Sequence, residues 1–220
     1  MKNMQKIGGL SALFMGVSHL AGIIIFMGVL KYASITDPME KLAVNIAHQP
    51  VIFSSNLLMY VIFGFALILL ALALNERLKS GAPALMQAAT AIGIIWAGSL
   101  IASGMVANAG LLAAAPLYAK DPSQAATLWQ AIEAVANGLG NANGEILGGP
   151  FTFLVSLAAL RSGALAKRLN YLGLLVGAQG ILSVIPALTA SLVGGFGVTQ
   201  ILWFVWLGIL LLCARPNTEN

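Results

Sequence analysis

The sequence predicts an all-α polytopic membrane bundle, with about six transmembrane helices and two short outer amphipathic helices in one domain, 1–220. Three observations predict it. Of the 220 residues 59% are hydrophobic and only 8% are charged, with a mean hydropathy of +0.91, whereas a soluble domain carries roughly 25% charged residues. The apolar residues fall into several long blocks, each able to cross ~30 Å of hydrocarbon at ~1.5 Å per residue. The cations lie between those blocks, so the net charge of +4 points to membrane orientation and excludes a nucleic-acid partner.

The first span is Ile7 to Leu30, with Ser18 and His19 near its middle. It is longer than the ~7 to 15 apolar residues of a signal peptide, so Lys2 and Lys6 read as the cytoplasmic flank of an uncleaved helix. Asp37-Pro38-Met39-Glu40 then opens a short helix, with Asp as N-cap, Pro at the first helical position and Glu reaching back. Met39, Leu42, Ala43 and Ile46 share one face, which suits a helix lying on the membrane surface and ending at Pro50. The second span, Val51 to Leu74, holds Ser54, Ser55, Asn56 and Tyr60 in its first half.

A polar turn with Arg77 and Lys79 leads to the third span, Leu85 to about Leu111, where Gly98, Ser99 and Ala102 would let helix backbones approach closely. Asp121-Pro122-Ser123-Gln124 repeats the capping arrangement and opens a helix with Ala125, Leu128, Trp129, Ile132 and Val135 on one side, fraying at Gly138 and Gly140. The fourth span is Asn143 to Leu160, kinked near Pro150. The fifth is Tyr171 to about Leu192, bent at Pro186, and a glycine turn at Gly194, Gly195 and Gly197 leads to the sixth, Val198 to Cys213. Cys213 is the single cysteine, which excludes an intramolecular disulfide and a multi-cysteine metal site.

Eight cations (Lys2, Lys6, Arg77, Lys79, Arg161, Lys167, Arg168, Arg215) fall on one side of a six-span arrangement, and three (Lys31, Lys41, Lys120) on the other. The positive-inside rule therefore places both termini in the cytoplasm and the two capped helices outside. The spacing also suggests a parallel two-span repeat. Gly16 follows Met4-Gln5 as Gly98 follows Met86-Gln87, and each unit then reaches an Asp-Pro cap.

The ordering carries a resemblance. The basic start with Ile7-Gly8-Gly9-Leu10, the Asp-Pro caps, the turn Glu76-Arg77-Leu78 and the closing Trp203-Phe204-Val205-Trp206 resemble bacterial membrane proteins of domain-of-unknown-function family 4386. The resemblance implies a small multi-span protein of the bacterial inner membrane. It brings no substrate and no catalytic residue.

Polar side chains inside spans are costly and usually face a bundle interior or a watery cavity. Asn56, Asn108, Glu145 and Gln200 fall in the outer third of four different spans, with His19 and Gln179 nearer the midplane. Together they suggest an outward-facing vestibule for a small polar or cationic ligand, with Glu145 as its charged contact. Each has a plainer reading. Glu145 would be stabilised at a helix N-terminus behind an Asn143 cap, or paired with Lys31 or Lys120. His19, Asn56 and Gln179 serve equally as hydrogen-bonding glue between helices.

HExxH, GxSxG and phosphate-loop signatures are missing from the sequence, and a metal site from His19, His48 and Glu145 follows no spacing rule. No cofactor and no enzymatic activity are implied. The expected function is a membrane-embedded binding or structural protein. A small-molecule transporter is the alternative and an intramembrane enzyme the third, for want of a nucleophile, base and metal set. The expected partners are the lipid bilayer, the small ligand and, compatibly with the repeat, further copies of the chain.

Overall fold

The computed structural model describes residues 2–141 and 145–213 and is helical throughout, with no strand among them. Helix α1 (Lys2–Ile23) widens into a π-helical stretch, Ile24–Val29, and a 3-10 turn at Tyr32–Ser34 leads to α2 (Pro38–Ala47). Next come α3 (Gln49–Asn56), a second π-helical stretch at Leu57–Ile62 and α4 (Phe63–Leu78). The 36-residue α5 spans Pro83–Tyr118. It is followed by α6 (Pro122–Ala136), a kinked turn at Asn137–Asn141, α7 (Glu145–Ser162), α8 (Lys167–Leu182) and α9 (Pro186–Cys213).

Five stretches are long and apolar enough to cross a membrane: Asn3–Val29, Gln49–Leu78, Pro83–Tyr118, Pro122–Ser162 and Pro186–Cys213. Large apolar side chains cover the exposed surface, with Leu10, Val17, Phe65, Ile95, Met105 and Val198 all more than half exposed. Contiguous apolar surface of this extent calls for a covering of lipid or protein. The Asp caps form as the sequence predicts. Asp37 accepts from the Glu40 N–H at 3.1 Å and Asp121 from the Gln124 N–H at 3.0 Å.

The last two helices divide elsewhere than expected. Helix α8 stops at Leu182 and α9 begins at Pro186, so Pro186 starts a helix instead of bending one, and Gly194, Gly195 and Gly197 are helical. Proline loses nothing at a first turn, where its N–H would be an orphan. The turn before it is tied by side chains, with Ser183 Oγ donating to Gly180 O and Thr189 Oγ1 to Ser183 O, both at 2.7 Å. Pro50 likewise opens α3 after a one-residue break at His48. The expected Asn143 cap lies outside the described residues.

The chain divides into two compact units, Met1–Val17 with Phe65–Ala97 and Gly144–Asn220, and Ser18–Gly64 with Gly98–Asn143. In the first unit, α7 and α8 cross through small residues. A Cβ on Gly149 would lie 2.8 Å from the Gly180 backbone, and one on Gly177 2.7 Å from the Phe153 backbone. That is the close backbone approach small residues permit, so Gly148 and Gly149 admit a neighbour beside Pro150. At one end of this unit Arg77 donates to Gln5 Oε1 at 2.9 Å and to Ala164 O at 3.2 Å, while Gln5 Nε2 donates to Leu211 O at 2.7 Å.

In the second unit, α2 packs against α6 over a core of Leu30, Leu42, Ile52, Leu111, Ala125 and Trp129. Of the shared faces read from the sequence, Leu42 and Ile46 of α2 and Ala125, Trp129 and Ile132 of α6 reach this core. Helix α2 buries Leu42 and Asn45 and leaves Met39 exposed, while α6 buries Ala125, Ala126, Trp129 and Ala136 and leaves Leu128 and Val135 exposed. Nor does Gly98 meet a neighbour. In the second unit the close approaches of α5 are at Gly104, against the Asn56 carbonyl and Tyr60, and at Gly110, against Ile132.

Candidate functional site

The second unit holds a half-open cavity of about 380 Å³, within the ~300–1,000 Å³ typical of small-molecule sites. One wall is His19 and Gly22 from α1 with Phe26 and Met27 from the π-helical stretch that continues it. A second is Ile52 and Asn56 of α3 with Met59 and Tyr60 of the next π-helical stretch. Tyr32, Lys41 and Asn45 close one end with Trp129 and Glu133 of α6, and Asn137 adds the kinked turn that follows α6. The two π-helical stretches, Ile24–Val29 and Leu57–Ile62, thus both line one cavity. Such turns widen the backbone, re-aim the side chains after them and occur frequently at functional sites. In the kinked turn Gly140 takes φ 152°, a backbone that favours glycine.

The polar groups are arranged in sequence. Lys41 Nζ lies 2.7 Å from Glu133 Oε1 and 4.8 Å from the centre of the Tyr32 ring, a charge pair and a cation–π contact together. Asn45 Nδ2 donates to Tyr32 Oη at 2.8 Å, and Tyr32 O–H donates to Glu133 Oε1 at 3.4 Å. Burial raises the Tyr32 phenol above its ordinary range, the Asn45 hydrogen bond opposes this, and Glu133 adds to it. The phenol therefore stays a donor. Asn45 is 1% exposed, yet its Oδ1 has no partner, nor does His19 Nδ1, whose ring meets Phe63 edge-on. Trp129 Nε1 is unpartnered as well, so three residues of the lining each carry a buried polar atom without a hydrogen-bond partner.

Of the six residues the sequence singles out, His19 and Asn56 line this cavity. Asn108 stands behind it, accepting from Asn56 Nδ2 at 2.8 Å and donating to Phe53 O at 3.4 Å. Glu145, Gln179 and Gln200 belong to the other unit. Glu145 is the first residue of α7 and 6% exposed. Gln179 Oε1 accepts from Thr199 Oγ1 at 2.7 Å, and the fully buried Gln200 accepts from Thr152 Oγ1 at 3.1 Å.

The cavity's carboxylate is Glu133, where the sequence points to Glu145 as the charged contact. Its cation is Lys41, read there only as a marker of sidedness. A signal was present: Lys41 with Asn45, and Trp129 with Glu133, each stand four residues apart on a capped helix, a spacing that stacks side chains on one face. Among the described residues no three His, Cys, Asp or Glu side chains gather as metal ligands.

Compared with known proteins, the chain matches no family model, no curated protein and no solved structure.

Proposed function

We propose that this chain is a membrane-embedded binding protein that holds a small amphipathic molecule in the cavity of its second unit. The observation that carries the reading is the roughly 380 Å³ space with the unpartnered Asn45 Oδ1 and His19 Nδ1 in its wall. Unpartnered buried polar atoms also occur in the other unit, at Ser156, Gln200 and Trp203, and what sets these two apart is that their residues line an open volume. Phe26, Met27, Met59 and Ile23 supply the apolar part of the same wall.

The wider setting follows the cation distribution and the family resemblance: a bacterial inner membrane, both termini cytoplasmic, the two Asp-capped helices and the cavity mouth outside. That orientation makes α8 a sixth crossing beside the five longer stretches. The recurrence of an Asp-capped helix after the first and the third span supports a parallel repeat, of which the last two spans would be a shortened unit without that helix.

Transport of the bound molecule is a second reading, favoured by the two π-helical stretches in the cavity wall. Each holds its helix one register step from the α form, a small rearrangement that would change the cavity's access.

The test fills the space. Ala107, buried in the cavity wall, is replaced by Phe, and thermal stabilisation by a panel of short-chain alcohols, amides and ammonium compounds is measured in nanodiscs. Wild type is expected to be stabilised by part of the panel and Ala107→Phe by none. A wild type indifferent to the whole panel, or a filled variant that responds equally, removes the binding reading.

A further inference from the structure

Resting on that binding reading, we infer that the cavity is an ammonium site: its ligand is a protonated primary amine with a short apolar tail, and Lys41 occupies the ammonium position when no ligand is bound. The reasoning starts from what surrounds Lys41 Nζ. It has a carboxylate oxygen at 2.7 Å and the face of an aromatic ring at 4.8 Å, the two groups that most favour an ammonium in a partly dry site. The ring is held in place, since the Tyr32 hydroxyl is fixed by Asn45 at 2.8 Å and by Glu133 at 3.4 Å.

What Lys41 leaves undone identifies the ligand. A primary ammonium has three N–H donors. Asn45 Oδ1, in the same wall and buried, accepts from no group. An incoming ammonium can satisfy Glu133 and Asn45 together, with its tail along Phe26, Met27 and Met59. A quaternary ammonium keeps the charge and the cation–π contact but has no hydrogen for Asn45. Lys41 can also leave. Its side chain is 25% exposed, and a lysine's compact charge on a flexible four-carbon stem moves readily to solvent. The lysine is thus an internal competitor, and removing it should strengthen binding, the reverse of what losing a ligand contact does.

The experiment measures binding by microscale thermophoresis at pH 7.5 on the full chain in phosphatidylcholine nanodiscs, with n-hexylammonium, N,N,N-trimethylhexylammonium and n-hexanol as probes. Wild type is expected to prefer n-hexylammonium over both others. Lys41→Met should bind it at least about tenfold more tightly, because a site blocked by an internal occupant loses affinity in proportion to the blocked fraction. Glu133→Gln should lose the preference over hexanol, and Asn45→Leu the preference over the trimethyl compound.

A second set of nanodiscs containing phosphatidylethanolamine separates the sources of the amine. If that lipid competes with hexylammonium, the natural ligand is a lipid headgroup, and if it does not, a free amine. Equal affinity for hexylammonium and hexanol, or no tightening in Lys41→Met, overturns the ammonium assignment. Hexanol binding that Ala107→Phe abolishes would meanwhile leave the binding reading standing.

Discussion

The carboxamide of Asn56 donates to that of Asn108 across 2.8 Å, and the Asn108 amide turns on to the Phe53 carbonyl at 3.4 Å. Gly104, one turn before Asn108, brings α5 against the Asn56 backbone, where a Cβ would lie 3.1 Å from its carbonyl oxygen. One amide therefore faces the cavity while the other anchors it from behind.

That pairing predicts a measurable coupling. Asn56→Leu and Asn108→Leu should each destabilise the protein by about 0.5–2 kcal/mol, and the double variant by less than their sum, since each single change strands the other amide. Denaturant titration in mixed micelles gives the cycle. Strictly additive effects would show that the two amides do not act as a pair.

The glycines divide into two classes with opposite signs. Gly149→Leu should abolish the α7–α8 crossing and with it the yield of folded protein, because its Cβ position is 2.8 Å from the Gly180 backbone. Gly98→Ala, at a helical position with nothing within 4 Å, should stabilise by about 0.5–1 kcal/mol. Thermal unfolding in detergent separates them. A stable Gly149→Leu would contradict the crossing.

Arg77 ties elements of the first unit through a fork that lysine lacks. Arg77→Lys keeps the charge but cannot reach Gln5 Oε1 and the Ala164 carbonyl together, so a loss of about 1–3 kcal/mol is expected. The Tm of Arg77→Lys beside that of the neighbouring surface change Lys79→Arg provides the check. Equal values would mean that charge alone matters at residue 77.

Sidedness is tested with cysteines at Ser80 and Ser123 in a Cys213→Ala background, needed because Cys213 is exposed. Membrane-impermeant maleimide added to intact cells is expected to label residue 123 and to reach residue 80 only after lysis. Labelling of both before lysis would overturn the orientation drawn from the cations.

The Asp caps offer a stability test tied to the cavity. Asp37→Ala and Asp121→Ala should each cost about 0.5–2 kcal/mol, and both should weaken ligand retention, because α2 and α6 carry Lys41, Asn45, Trp129 and Glu133. Unchanged retention in both would separate the caps from the site.

By itself the sequence determined what depends on a few neighbouring residues: helical class, the apolar stretches and the two Asp-capped helices beginning at Pro38 and Pro122. Hydropathy, capping geometry and proline's missing N–H act over one or two turns and can be read locally. Only the tertiary structure decided which polar groups meet. It placed His19 and Asn56 in one cavity, put Glu145, Gln179 and Gln200 in the other unit, joined Lys41 to Glu133, and buried Asn45 together with Leu42. The physical reason is that the periodicity of one helix marks its apolar face but does not say which distant residue a polar side chain beside that face will meet. The choice falls to pairings between residues far apart in the chain, and to π-helical register shifts that shorter-range rules do not contain.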